Sequence, residues 1–237
     1  MRKINKTCNL STVYRTWEEG LENTGTNHPK YTNSTTRNSH YQDIKMQLYN
    51  CQGGLCAYTE MRLCPKKYYD STNWENGKYV TALEKGIGRG QLDHFDESLK
   101  SKKNDVNGIK DWLWDNFFMV DSDVNTVVKR ALPVDPILKP DNPDYDPFVL
   151  MDYDVDTHIF IPNSDLDEAT QKIIKSSIEA LGINTVYSQR RNYIMKEMQL
   201  ISLEEKSFDE IEIDEFPTSF EMYSNKKANQ NEILGLI

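Results

Sequence analysis

Apolar positions fall into short runs along most of the chain, and the elements they predict are correspondingly small. From Tyr41, apolar residues at Tyr41, Ile44 and Leu48 recur at helical spacing until Gly53-Gly54 ends the pattern. Residues 55–59 read as a strand leading into a turn, and 68–85, polar and aromatic, as a loop excursion with little regular structure. Gly88 and Gly90 lead into a short extended segment, 91–95. A polar insertion over 98–111, rich in Lys, Asp and Asn, separates it from a second predicted strand at 117–120. Residues 123–130, with Val124, Val127 and Val128 on the apolar side, give a short helix carrying Asn125 near its start. The centre of the chain is therefore expected to run strand, loop, strand, helix.

Downstream, Pro136, Pro140, Pro143 and Pro147 punctuate an acidic surface connection, and alternation at Phe148, Leu150, Ile159 and Ile161 predicts a hairpin. The strongest helix signal follows. Ser164 with Asp167 resembles a capping box, Leu166, Ile173, Ile174, Ile178 and Leu181 form an apolar stripe, and Gly182 stands where a C-terminal cap belongs. A second helix over 185–201 is expected to pack beside it through Val186, Ile194, Met198 and Ile201. The ends read differently. Residues 1–37, rich in Asn, Thr and Ser, predict an irregular arm that Tyr14 and Trp17 can pin down, and beyond Leu203 the chain is acidic, an expected tail that is disordered or folds onto a partner. The expected organisation is an α+β protein with an arm over 1–37, a core over 38–132, an α/β extension over 133–202 packed on that core, and the tail over 203–237.

Charge changes the picture more than length does. A chain of 237 residues can be one large domain or two small ones. Mean hydropathy is negative, no apolar run approaches the length that crosses a bilayer, and no apolar segment follows the basic start, so neither membrane span nor signal peptide is expected and a cytoplasmic location is the default. Cys8, Cys51, Cys56 and Cys64 lack the spacing of a disulfide framework and are expected reduced. With 28 Lys and Arg against 37 Asp and Glu, the formal net charge is −9. That is the wrong sign for gripping phosphates unaided, so basic residues must cluster or another subunit must supply the grip.

The candidate chemistry lies at 88–130. Asp93-His94 ends the first predicted strand, and Asn116 and Asn125 follow nine positions apart. Hydrolysis of a phosphodiester needs a nucleophilic water, a base and positive charge beside the phosphate oxygens. Asp93 and Asn125 are hard oxygen donors suited to Mg²⁺ or Mn²⁺, and His94 is a candidate general base. Strand alternation would point Asp93 and His94 to opposite faces, an objection met if the pair sits in a bent loop. Taken singly, each has a structural explanation: a surface His-Asp hydrogen bond, a turn residue at Asn116, a helix cap at Asn125. Taken together, on one compact unit, they favour a nuclease centre.

In this order and spacing Asp93-His94, Asn116 and Asn125, with Trp114-Asp115-Asn116-Phe117-Phe118, resemble the HNH endonuclease family and its ββα-metal core. The step from Asn116 to Asn125 is similar to the HNH domain of RNA-guided nucleases, and the segments 55–60 and 133–192, with Ala180-Leu181-Gly182-Ile183-Asn184, resemble the HNH subunit of Septu-type, retron-associated antiphage systems. The resemblance covers about 40–195. It implies that Asp93 and Asn125 are metal ligands, His94 the base and Asn116 the residue that fixes the loop carrying His94. It implies an ATPase partner of the ABC or SMC-like class and a nucleic-acid substrate, DNA favoured over RNA. The chain departs from many relatives at the positions of a structural zinc, which read Cys56, Thr59, Asp121 and Val124; one thiolate and a valine do not complete a tetrahedral site, so no structural zinc is expected. Lys100, Lys102, Lys103, Lys129 and Arg130 are candidate phosphate contacts, with a solvated surface as their ordinary reading; Arg190 and Arg191 lean further to the surface, and Glu60 and Glu97 are possible outer supports of the metal. The rival readings are a catalytically silent HNH-fold subunit that binds nucleic acid or serves as a scaffold, and a purely structural adaptor.

Overall fold

The helix expected from Tyr41 begins earlier, at Ser34, because Asn33 caps it. The Asn33 side-chain oxygen accepts from the Thr36 amide at 3.0 Å and the helix ends on Gly53 in the left-handed region. In the computed structural model, which describes residues 1–102, 110–203 and 212–233, this helix belongs to a unit made of Ile4–Ala57 and Leu63–Val134. A second unit comprises Met1–Lys3, Tyr58–Arg62 and Asp135–Ile237. Helices combine with three two-stranded antiparallel sheets among the described residues, an α+β composition. No helix among them is long and apolar enough to cross a membrane.

In chain order the first unit holds α1 (Thr12–Thr24), α2 (Ser34–Gln52), the short α3 (Lys66–Tyr69), a two-residue hairpin of β1 (Trp74–Glu75) and β2 (Lys78–Tyr79), then β3 (Gln91–His94) and β4 (Phe117–Val120). The stretch expected as an irregular arm thus contains a 13-residue helix, closed by Gly25 at φ +62°. Residues 55–59 form a turn after a single bridge residue at Leu55 rather than a strand. Strands β3 and β4 form where apolar runs predicted them, in the register Gln91 to Val120, Leu92 to Met119, Asp93 to Phe118 and His94 to Phe117. Every residue of β4 is buried. Its outer edge is satisfied by α2: the Gln52 side chain accepts from the Met119 amide at 2.9 Å and donates to the Met119 carbonyl at 2.8 Å, an amide standing in for a third strand. The entry to β3 needs glycine, since a Cβ at Gly90 would lie 2.7 Å from the Tyr49 hydroxyl and 3.0 Å from the Val120 carbonyl.

The second unit holds α4 (Pro147–Leu150), β5 (Met151–Asp154), β6 (Ile159–Pro162), α5 (Glu168–Ala180), α6 (Tyr187–Ser202) and α7 (Pro217–Ile233). The predicted hairpin is β5–β6, with Met151 opposite Pro162. Asp167 is itself the cap of α5, accepting from the Ala169 and Thr170 amides at 3.0 Å, so Ser164 lies outside the cap. Arg190, expected at the surface, is fully buried: it donates to the His158 and Ile183 carbonyls and its guanidinium carbon lies 4.9 Å from the Phe160 ring centroid. The acidic tail is not a loose appendage where it is described. Phe216 is fully buried against Tyr193, and the Glu60 carboxylate, rather than supporting a metal, accepts from the Thr218 amide at 3.1 Å and the Thr218 hydroxyl at 2.5 Å in the first turn of α7. Phe216→Ala is expected to destabilise this unit by about 3–5 kcal/mol in denaturant unfolding, the usual cost of emptying a buried phenyl site; an unchanged midpoint would mean that α7 does not belong to the fold.

Candidate functional site

Strand β3 offers two faces, and the predicted residues divide between them. Gln91 and Asp93 share one face by strand alternation. Against that face lies the segment after β4, where Val124–Lys129 forms a turn of π-helix, with the Arg130 amide bonded to the Asn125 carbonyl at 2.9 Å. Asn125 reaches Gln91, its side-chain amide donating to the Gln91 side-chain oxygen at 3.3 Å. Lys129, four residues on, reaches Asp93: the ammonium lies 3.1 Å from a carboxylate oxygen and donates to the His94 carbonyl at 2.8 Å. Lys129 is 0% exposed and Asp93 1%, so this lysine, expected at a phosphate, is an internal counter-ion. The π-turn closes on Arg130, whose φ of +49° puts a non-glycine residue in strained backbone and whose side chain stays exposed.

His94 lies in the strand rather than in a bent loop, paired with Phe117. Its ring, 2% exposed, is met edge-on by Tyr31 and Phe117, each with centroids 4.9 Å away. Nε2 faces the Asp111 carbonyl at 2.9 Å, and a carbonyl only accepts, so Nε2 carries the proton and Nδ1 is the basic nitrogen. Burial, above the opposing effect of that hydrogen bond, pushes the imidazole pKa down to about 4. The Tyr31 phenol is raised above its ordinary pKa, first by burial and next by the neighbouring Tyr41 phenol.

Asn116 clasps the turn that follows His94. Its side chain accepts from the Asp96 amide at 2.8 Å and donates to the Asp96 carbonyl at 2.9 Å, while its own carbonyl accepts from the Phe95 amide at 2.8 Å. Lys100 is paired with Glu97 at 3.5 Å, Lys102 is exposed, and Lys103 lies outside the described residues. A groove of about 470 Å³ runs between Lys100, Lys102, Ala131 and Pro133, with Asp96 and Glu97 in its wall, so it is not a purely basic channel. At the zinc-equivalent positions, the Cys56 thiol accepts from the Asp121 amide at 3.4 Å and Val124 is buried.

Sequence reasoning missed the residues that hold His94. Asp111, in the polar insertion, is 1% exposed; its carboxylate accepts from the Tyr31 amide at 2.7 Å and from the Ser101 amide and hydroxyl at 2.7 and 2.6 Å, while its carbonyl holds His94. Helix α1 fixes the following residues. Tyr14 donates to the Trp112 carbonyl at 2.5 Å, Glu18 accepts from the Trp114 amide at 2.6 Å, and Glu22 takes both Lys110 and His28, whose Nδ1 accepts from the Trp112 amide at 3.0 Å. Only the aromatic positions Tyr14 and Trp17 signalled this role.

As a cation site, the face carrying Asp93, Gln91 and Asn125 presents a carboxylate and two amide side chains, a donor set that fits a hard divalent ion in chemistry. The Asp93 charge is balanced by Lys129, so an incoming ion must displace or share with the ammonium. No group of three or more His, Cys, Asp or Glu able to hold a metal occurs among the described residues, so amide oxygens and water would complete the shell. The chain matches no protein-family model, and no curated protein matches it.

The low His94 pKa is checkable. Because the folded-state value lies below the ordinary 6.5, the unfolded chain takes up the proton first, and His94 costs the fold stability progressively from about pH 6.5 down to about 4. Nitrogen-15 NMR of the imidazole is expected to show a neutral ring protonated at Nε2 at about pH 5. A ring titrating near 6.5 would contradict the buried geometry.

Proposed function

We propose that the chain is a divalent-metal-dependent endonuclease of the HNH class, with β3, β4 and the Val124–Lys129 turn as its ββα-metal core. The observation that carries this reading is the grouping of Asp93, Asn125 and an Asn116-clasped His94 turn on one hairpin-and-turn unit. Asp93 and Asn125 would hold Mg²⁺ or Mn²⁺, and such an ion when bound supplies positive charge at the phosphate and an acidified water. His94, neutral at physiological pH with Nδ1 unprotonated, is the proton acceptor in this reading, which requires the end of β3 to turn, because strand alternation sets its buried ring on the face opposite Asp93 and Asn125. Its low pKa makes it a weak base, so its contribution is orientation as much as basicity. The substrate is a nucleic-acid phosphodiester, with DNA favoured.

One observation favours a second reading, a silent subunit of the same fold: Lys129 already occupies Asp93. The resemblance and the net charge of −9 also support a defence complex in which an ATPase subunit holds the substrate. On that basis the isolated chain cuts slowly, and fast cutting at physiological salt without a partner would contradict the complex.

Plasmid nicking with Mg²⁺ or Mn²⁺ and Mn²⁺ calorimetry separate the two readings. For a nuclease, His94→Ala lowers the rate by about 10²-fold or more, Asp93→Asn abolishes Mn²⁺ binding, and Lys129→Met tightens it by removing a competing cation. Undiminished nicking in His94→Ala sinks the assignment of the base; no nicking and no Mn²⁺ binding by either wild type or Lys129→Met selects the silent subunit.

A further inference from the structure

We infer that Arg37, stacked on Tyr31 and Tyr41 beside His94, binds a backbone phosphate of a nucleic-acid strand; the inference rests on the nuclease reading in setting the reacting phosphodiester at His94. Arg37 stands in the first turn of α2, and Tyr41 is one helical turn further along. The guanidinium carbon lies 5.0 Å from the Tyr31 ring centroid and 4.9 Å from that of Tyr41. The two phenol rings meet edge to face with centroids 6.5 Å apart, and Tyr31 presents its ring at 82° and 4.9 Å to His94. The platform is fixed at its base, because the Tyr31 amide is held by the carboxylate of Asp111, whose carbonyl also holds His94. Arg37 and the imidazole therefore share one rigid support.

What distinguishes Arg37 is that it combines contact with two aromatic rings and no side-chain acceptor among the described residues. Arg15 pairs with Glu18, Arg62 with Asp214, and buried Arg190 donates to two carbonyls. The Arg37 guanidinium makes no hydrogen bond or ion pair with another described residue, although the chain carries nine more acidic than basic side chains. Stacking on aromatic faces orders a guanidinium while leaving the N–H fork at its edge free to donate, an arrangement suited to bidentate recognition of a phosphate. The residue is half-buried, so stacking limits its rotamers but leaves solvent access. Lys100, 5.7 Å from the Tyr31 centroid, adds positive charge nearby, but its pairing with Glu97 makes Arg37 the more available donor.

The test uses the full-length chain. Anisotropy of a fluorescein-labelled DNA duplex and its single strand is measured in EDTA over a range of salt, for wild type, Arg37→Gln and Arg37→Lys, with plasmid nicking in Mn²⁺ run in parallel. Arg37→Gln is expected to weaken binding about tenfold at low salt and to reduce the slope of log affinity against log salt by about one, the signature of one lost phosphate contact. Arg37→Lys is expected to restore the slope while nicking stays impaired, because an ammonium replaces the charge but not the fork. Thermal midpoints identify any loss of fold in Arg37→Gln, and the lysine variant then carries the comparison. Affinity and slope unchanged in Arg37→Gln, or no binding by wild type to either form of DNA, overturns the inference. His94-dependent nicking indifferent to Arg37 defeats it while leaving the nuclease reading intact, whereas Arg37-dependent binding without nicking supports it and removes the nuclease reading.

Discussion

Burying a carboxylate is costly unless it is paired and hydrogen-bonded, and Asp93, 1% exposed, has its partner in the Lys129 ammonium at 3.1 Å. This constraint orders the centre of the structure. To deliver an ammonium to Asp93, the segment after β4 runs as a π-turn and closes on Arg130 in strained backbone. The same ammonium holds the His94 carbonyl at 2.8 Å, so the last two residues of β3 are tied to the turn that carries Asn125. Under the proposed nuclease reading a bound divalent ion exchanges or supplements that ammonium, and under the silent reading the ammonium stays.

Around this pair the hairpin is held from two directions. Gln52 at the end of α2 completes the hydrogen bonding of Met119 on β4, and α1 fixes residues 110–114 through Tyr14, Glu18 and Glu22, which sets the Asp111 carbonyl that holds His94. His94 is therefore positioned by backbone and by neutral aromatic edges rather than by a carboxylate. That explains both its fixed tautomer and its low pKa. In the proposed nuclease such a base would rely on geometry and on a cation at Asp93, since the imidazole alone is weakly basic.

The elements legible in the sequence were those whose burial is written in local periodicity or in a run of apolar residues: β4 in Phe117 to Val120, and α5 in its stripe ending at Gly182. Helix α1 was obscured because Tyr14, Trp17 and Leu21 are embedded in polar composition, yet their spacing and Gly25 behind them are a helix signature. Helix α7 was hidden by acidic neighbours, although Pro217 at its first position and the buried Phe216 and Phe220 mark it. Of the candidate site, short motifs supplied Asp93, His94, Asn116 and Asn125 as expectations, and the structure sets Asn125 against Gln91 and Asn116 against Asp96 while His94 stays within the strand. The partners were not legible. Lys129 at Asp93, Asp111 behind His94 and Arg37 over Tyr31 are pairings set by tertiary packing, and a lysine that looks solvated in sequence gives no local sign that it will be buried.

The dependence on the buried pair is measured most directly by a double-mutant cycle at Asp93 and Lys129, with stability read from denaturant unfolding. Asp93→Asn and Lys129→Met each leave one charge buried and uncompensated, and each is expected to lose about 3–5 kcal/mol. The double variant removes both charges and is expected to recover much of that loss, giving a coupling energy of more than about 1 kcal/mol. Losses that simply add, with no recovery in the double variant, would contradict the account that the Asp93 charge is held by Lys129 and that the centre of the protein is built around satisfying it.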